Sequence, residues 1–247
     1  MDIPVPDLPV FLAATFLGSV VAGLSGFAFG LVAAAIWLHV LDPVQSAALI
    51  VGYGLIVQGQ AVWKLRRAID WPLLWPMLAG TAAGIPAGVG LLAWLDADPL
   101  RRATGLFLVL YSLYGLLRPD LPPLRAGRAA DMAAGLVNGV VAGATGLGGI
   151  IAAVWCGLRG WPKDRQRAIF QPVAVAAFVM SGAWLGASGT LAAGHLAVAT
   201  GWLFVAGLPL LLAGTWLGLR LYGRLSEAAF RRVVLLLLLA SGAALAA

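Results

Sequence analysis

The chain has one cysteine, Cys156, and two histidines among its 247 residues. A lone thiol excludes an internal disulfide, and so few soft ligands argue against a metal cluster. Charge is scarce, at 11% of residues. No Lys or Arg precedes Lys64, so the first apolar segment has no basic leader and no cleaved signal peptide is expected. No Asp, Glu, Lys or Arg falls well inside an apolar segment. The spans therefore offer no buried carboxylate relay of the kind that pumps and many coupled carriers keep there. They also lack a His, Cys and carboxylate constellation, so neither an enzyme nor a cofactor or metal site is expected. His39 and His195 lie near segment ends and are expected at interfaces.

Apolar residues fill the space that charge leaves. They make up 62% of the chain, and mean hydropathy is +0.96. A soluble domain of this size cannot hide that much apolar surface, so the class is a polytopic membrane protein. The pattern lacks the alternation of a barrel, so the spans are helical and satisfy their own backbone. The 32 glycines suit close helix approach in lipid. A formal charge of +6 does not indicate nucleic acid. All sixteen Lys and Arg lie between or at the ends of apolar segments, where they orient the protein in the bilayer.

Apolar segments run over 10–41, 43–63, 71–95, 103–117, 132–158, 168–190, 196–219 and 233–247. The stretch 118–131, "RPDLPPLRAGRAAD", is Pro-rich and charged, and reads as a linker between halves. The halves repeat. Val20-Val21-Ala22-Gly23 matches Val140-Val141-Ala142-Gly143, with Ser25 over Thr145 and Gly26 over Gly146. Gly84 and Gly88 match Gly214 and Gly218, and Arg101-Arg102 matches Arg231-Arg232. Three matches in order indicate duplication, a common origin of membrane transporters.

Segment 10–41 would be about 48 Å long as one helix, against a hydrocarbon core of about 30 Å. Its glycines sit near the middle, so a break is expected there. Charge supports a break in 132–158 as well. If that segment enters and leaves on one face, loops 64–70, 118–131, 158–167 and 220–232 share a side and carry fourteen of the sixteen cations. Such a bias marks those loops as cytoplasmic. The expected fold is thus all-α, with two inverted repeats, each a Gly-rich re-entrant hairpin followed by three transmembrane helices. The first repeat, 1–117, holds hairpin 10–41 and spans 43–63, 71–95 and 100–117. The second, 132–247, holds hairpin 132–158 and spans 166–190, 196–219 and 228–247. Segments 103–117 and 233–247 are short for a crossing, so their helices must begin earlier, with the paired arginines snorkelling.

A hairpin tip turns a helix N-terminus inward, and its free N–H groups and positive dipole end favour an anion. Glycine lets backbone approach a ligand closely. The expected substrate-binding residues are Ser25, Gly26, Phe27, Phe29 and Gly30 in the first tip and Thr145, Gly146, Gly148 and Gly149 in the second. Backbone amides carry the anion, Ser25 and Thr145 add hydroxyls, and Phe27 and Phe29 either face an organic tail or seal the tip. Tyr53, Gln58, Asn138 and Gln171 are polar candidates for supporting the tips, or for plain interhelical hydrogen bonds. The expected partners are a small anion and the lipid bilayer. A homodimer is suggested by the amount of flat, Gly- and Leu-rich surface.

The repeated "VVAG-x-[ST]-G" text, Pro43 and Pro162 after it, the Gly-x-x-x-Gly third span and the Arg-Arg-led last span resemble the sulfite exporter TauE/SafE family over nearly the whole chain. Members are bacterial and plant membrane proteins linked to sulfite, sulfonates such as sulfoacetate and other small organic anions. The resemblance implies secondary transport of a sulfite-like anion across the cytoplasmic membrane. A passive anion channel, a carboxylate permease and a structural membrane subunit are the alternatives.

Overall fold

The computed structural model describes residues 8–37, 39–41, 43–92, 97–117, 122–145, 148–187 and 194–246. Every regular element among the described residues is an α-helix, in the order α1 (Leu8–Ser25), α2 (Phe29–Trp37), α3 (Pro43–Leu65), α4 (Trp71–Leu92), α5 (Ala97–Leu117), α6 (Arg128–Thr145), α7 (Ile150–Leu158), α8 (Lys163–Ala187), α9 (Gly194–Arg224) and α10 (Glu227–Ala246). Among the described residues, four stretches are long and apolar enough to cross a bilayer: Leu8–Ser25, Gln45–Leu65, Trp71–Gly90 and Val198–Arg224. The protein is a multi-pass helical membrane protein.

Helices outrun the apolar segments, because backbone hydrogen bonding continues into polar flanks that hydropathy scores as loop. α5 and α10 have 21 and 20 residues, about 30 Å each, so the two short segments do reach the length of a crossing. α8 begins at Lys163 and α9 runs on to Arg224, which shortens the connections expected over 158–167 and 220–232. Pro76, Pro86, Pro172 and Pro209 lie inside helices without ending them, as neighbouring spans in a bundle allow.

Both Gly-rich segments break. Gly26, with φ 93°, separates α1 from α2, and Gly149, with φ 95°, precedes α7. Only glycine adopts that left-handed backbone without strain. After each break the chain folds back along the helix it has just left. The Trp37 ring at the end of α2 stacks on Phe11 near the start of α1, with centroids 5.1 Å apart, and its indole N–H donates to the Phe11 carbonyl at 3.4 Å. Trp155 of α7 donates to Asp131 Oδ1 in the first turn of α6 at 2.8 Å. Arg159, just past α7, lies 3.9 Å from the same carboxylate. One tryptophan therefore fastens the open end of each hairpin.

The chain forms two compact units, Met1–Ala61 with Phe178–Arg224, and Val62–Ala177 with Leu225–Ala247. These units are not the sequence halves. In the first, α1 packs along α9, which comes from the far end of the chain. A Cβ on Gly23 would sit 2.9 Å from the Gly218 Cα, so backbone meets backbone there. The core gathers Phe11, Phe29, Trp37, Leu49, Tyr53 and Leu211. In the second, α6 packs along α4. Gly135, Gly139 and Gly143 face the backbone of α4, and Gly80, Gly84 and Gly88 face that of α6. The Gly-x-x-x-Gly spacing is the reason: residues four apart share a helix face, and without side chains two axes can approach closely. The last helices of the two halves, α5 and α10, pack on each other. A hairpin's first helix is thus held, in each unit, by the third long helix of the opposite half of the sequence.

Candidate functional site: the two hairpin tips

The tip of the first hairpin spans Ser25 to Gly30, all buried. α1 completes its last bond from the Gly26 amide to the Ala22 carbonyl at 2.7 Å. The Ser25 hydroxyl donates to the Val21 carbonyl at 2.8 Å. Its oxygen accepts from the amides of Phe27 and Ala28, each at 3.4 Å. Ser25 therefore serves as the cap that carries the chain from one helix into the next, with its proton held by α1. The Val32 amide opens the α2 ladder by donating to the Ala28 carbonyl at 3.2 Å. The amides of Phe29, Gly30 and Leu31 thus form the first turn, which has no intrahelical acceptors. The dipole end of a nine-residue helix points at the tip.

The side chains around this tip divide by role. The Phe29 ring turns into the unit's core, edge-on to Trp37 and to Tyr53 with centroids 5.8 Å away in each case. Phe27 stays at the tip, 6% exposed. Gly30 is pressed against α3: a Cβ there would lie 2.8 Å from Ile50 Cγ2. Gln58 reaches the tip from α3, and its Nε2 donates to the Gly26 carbonyl at 2.7 Å. Tyr53 meets the Phe29 ring of the tip but spends its hydroxyl elsewhere. Its hydroxyl donates between the carbonyls of Leu203 and Phe204, 2.9 Å from each, which ties α3 to α9.

The second tip follows the same plan with different parts. Thr145 ends α6; its side chain and Gly146 lie outside the described residues. Gly148 and Gly149 are buried against α8. A Cβ on Gly148 would fall 2.6 Å from that of Ala177, and one on Gly149 2.9 Å from that of Ala174. Gly149 is the N-cap of α7 and has no side chain to cap with. Asn138 supplies the missing acceptor from α6, its Oδ1 receiving the Ala152 amide at 3.2 Å. Asn138 Nδ2 donates to Thr81 Oγ1 at 3.4 Å, and Thr81 donates to the Gly135 carbonyl at 3.1 Å. The chain of bonds ties α4, α6 and α7 together. The residue of the first hairpin that matches Asn138 is Gly18, and there Ser25 does the capping.

Gln171 is fully buried on the α8 face that carries Ala174. With its amide oriented to suit the donors, its oxygen accepts from Arg167 Nη2 at 2.9 Å and Nε at 3.2 Å. Arg167 is 1% exposed, so a guanidinium is buried in the first turns of α8, beside an apolar segment expected to hold no charge well inside it. Because α8 starts a turn before Arg167, the guanidinium lies inside the packed helices, about 10 Å along α8 from the Ala174 that backs the tip. Spacing could have flagged it: Arg167 and the mid-span Gln171 are four apart and share a face. Asp131 is likewise buried, at 2% exposure, where the sequence reads as the edge of a linker. Among the described residues no three His, Cys, Asp or Glu side chains come together to hold a metal ion.

Residues 10–245 match the family described as "Sulfite exporter TauE/SafE". No curated protein and no solved structure matches the chain.

Proposed function

Because the chain belongs to the sulfite exporter TauE/SafE family, we propose that it is a secondary transporter of a small sulfur-containing anion, either sulfite or an organosulfonate such as sulfoacetate. It works in the cytoplasmic (inner) membrane of a bacterium by alternating access. The halves 1–117 and 132–247 act as inverted repeats, each with a re-entrant hairpin and three crossings. The loops over 64–70, 118–131, 158–167 and 220–232 face the cytoplasm, and the assembly is a homodimer.

The observation that carries this reading is that each hairpin tip turns at a buried positive-φ glycine, Gly26 shortly before α2 and Gly149 at the start of α7. A helix start inside a bundle leaves amides pointing at whatever occupies the tip, and a small oxyanion is the ligand such amides solvate best. Gly26, Gly30, Gly148 and Gly149 keep side chains out of the two turns, and Thr145 and Gly146 join them as substrate-binding residues. Phe27 gives the first tip an apolar wall suited to a short organic tail. Gln58 and Asn138 hold the two turns in place, and Ser25 caps the first. The Arg167 guanidinium adds positive potential on the α8 face behind the second tip, where low dielectric lengthens its reach.

The test is equilibrium binding to purified protein, read by tryptophan fluorescence, across sulfite, thiosulfate, sulfoacetate, taurine and acetate. The proposal expects saturable binding of the sulfur oxyanions ahead of acetate. Absence of saturable binding by every sulfur anion would refute it.

A further inference from the structure

The carboxamide of Gln58 is 3% exposed, and its two polar atoms have different fates. Nε2 is committed to the Gly26 carbonyl at 2.7 Å. That carbonyl can only accept, so the nitrogen and oxygen of the amide cannot be exchanged. Oε1 is then fixed as an acceptor, is buried, and has no hydrogen-bond partner. It is bonded to the same carbon as Nε2 and so shares the tip with the first-turn amides of α2. Buried acceptors without donors are rare because each forfeits its hydration. The second hairpin shows the contrast: Asn138 has both ends of its amide engaged, and the Gln171 oxygen is held by Arg167.

We infer that the first hairpin tip selects anions that carry their own hydrogen-bond donor, an O–H or N–H placed to reach Gln58 Oε1 while the negative end meets the α2 amides. The inference rests on the anion-carrier reading and narrows its substrate class. The ligand class is a hydroxy- or amino-substituted sulfonate or a singly protonated sulfur oxyanion, in preference to a sulfonate ending in a hydrocarbon. The helix start alone would accept any small anion; the orphan acceptor is what distinguishes among them. Gln58 is a specificity-determining residue in this account, and its clamp on Gly26 is what aims the oxygen.

The experiment compares two ligands of nearly equal size. Isethionate ends in a hydroxyl where propanesulfonate ends in a methyl group. In a merely apolar tip propanesulfonate binds more tightly, since its methyl gains from leaving water. The inference expects wild-type protein to favour isethionate by about tenfold, the scale of one net hydrogen bond. Gln58→Met, similar in length but without the acceptor, should bring the ratio to one or reverse it. Equal affinities in wild type, or a preference for propanesulfonate, would overturn the inference while leaving the carrier reading intact. If Gln58→Met fails to fold, the wild-type ratio still decides. No binding of either ligand, or of sulfite, would sink the carrier reading and the inference with it.

Discussion

Replacing Asn138 by alanine isolates what holds the second hairpin tip. Asn138 Oδ1 is the acceptor for the Ala152 amide at 3.2 Å, and Gly149 has no side chain to take over. The variant leaves that amide buried between α6 and α7. A buried donor stripped of its partner costs about 1–3 kcal/mol. The bond to Thr81 is long, at 3.4 Å, and Thr81 keeps its own bond to the Gly135 carbonyl, so its loss adds little. The expected total is about 2–3 kcal/mol, close to the upper range for losing a helix cap. Thr81→Val, which strands no amide, should cost about 1 kcal/mol or less. Global stability is measured by denaturant titration in mild detergent. Hydrogen exchange of the peptide 148–158 gives the local reading: a loss of 2 kcal/mol speeds exchange about thirtyfold where the helix start opens alone. Exchange at 25–37 should stay unchanged, since Ser25 caps that tip. If Asn138→Ala and Thr81→Val prove equally mild, or if exchange at 148–158 does not rise, the capping argument is wrong.

Glycine substitutions should split by location. Gly139→Leu drives a side chain into the α4 backbone, where even a Cβ would lie 2.9 Å from the Gly84 Cα, and should abolish folded protein on size-exclusion chromatography. Gly90→Ala meets open space and should gain up to about 1 kcal/mol in the same denaturant titration. Gly148→Ala should lose stability through its clash with Ala177, and Ala177→Gly should restore it. Gly149→Ala should not be rescued by Ala174→Gly, because its φ of 95° strains any side chain. In a Cys156→Ala background, Gly127→Cys and Pro162→Cys, at exposed positions flanking the second hairpin, should both react with impermeant maleimide from the cytoplasmic face. Labelling from opposite faces would make 132–158 a single crossing.

Much of the fold was legible because membrane physics leaves few options. Hydropathy marks the helices, and the excess length of 10–41 with its central glycines marks the break at Gly26. Repetition of that text marks the second break, at Gly149. The Gly-x-x-x-Gly pairs were visible as packing motifs, but their partners were not. That Gly84 and Gly88 meet α6 while Gly218 meets α1 is a long-range pairing that no local pattern encodes. At the tips, Gln58 and Asn138 could be picked out as polar residues in apolar text. Which one would leave an acceptor orphaned depends on a single carbonyl in space. Tyr53 looked similar on paper and went to α9 instead, because an aromatic hydroxyl reaches beyond its own core. The burial of Arg167 is not legible in hydropathy, which ends the apolar segment at the last charge, whereas α8 begins at Lys163 and carries the arginine in its first turns.

The central claim, that this chain carries a sulfur anion by turns rather than leaking it, is tested most directly by counterflow in proteoliposomes. Vesicles are loaded with unlabelled sulfite, diluted, and offered a trace of labelled sulfite. The account predicts transient accumulation of label above its equilibrium level, saturable in external sulfite and weakened by Arg167→Leu. Label that only equilibrates, at a rate linear in concentration and indifferent to preloading, would contradict it.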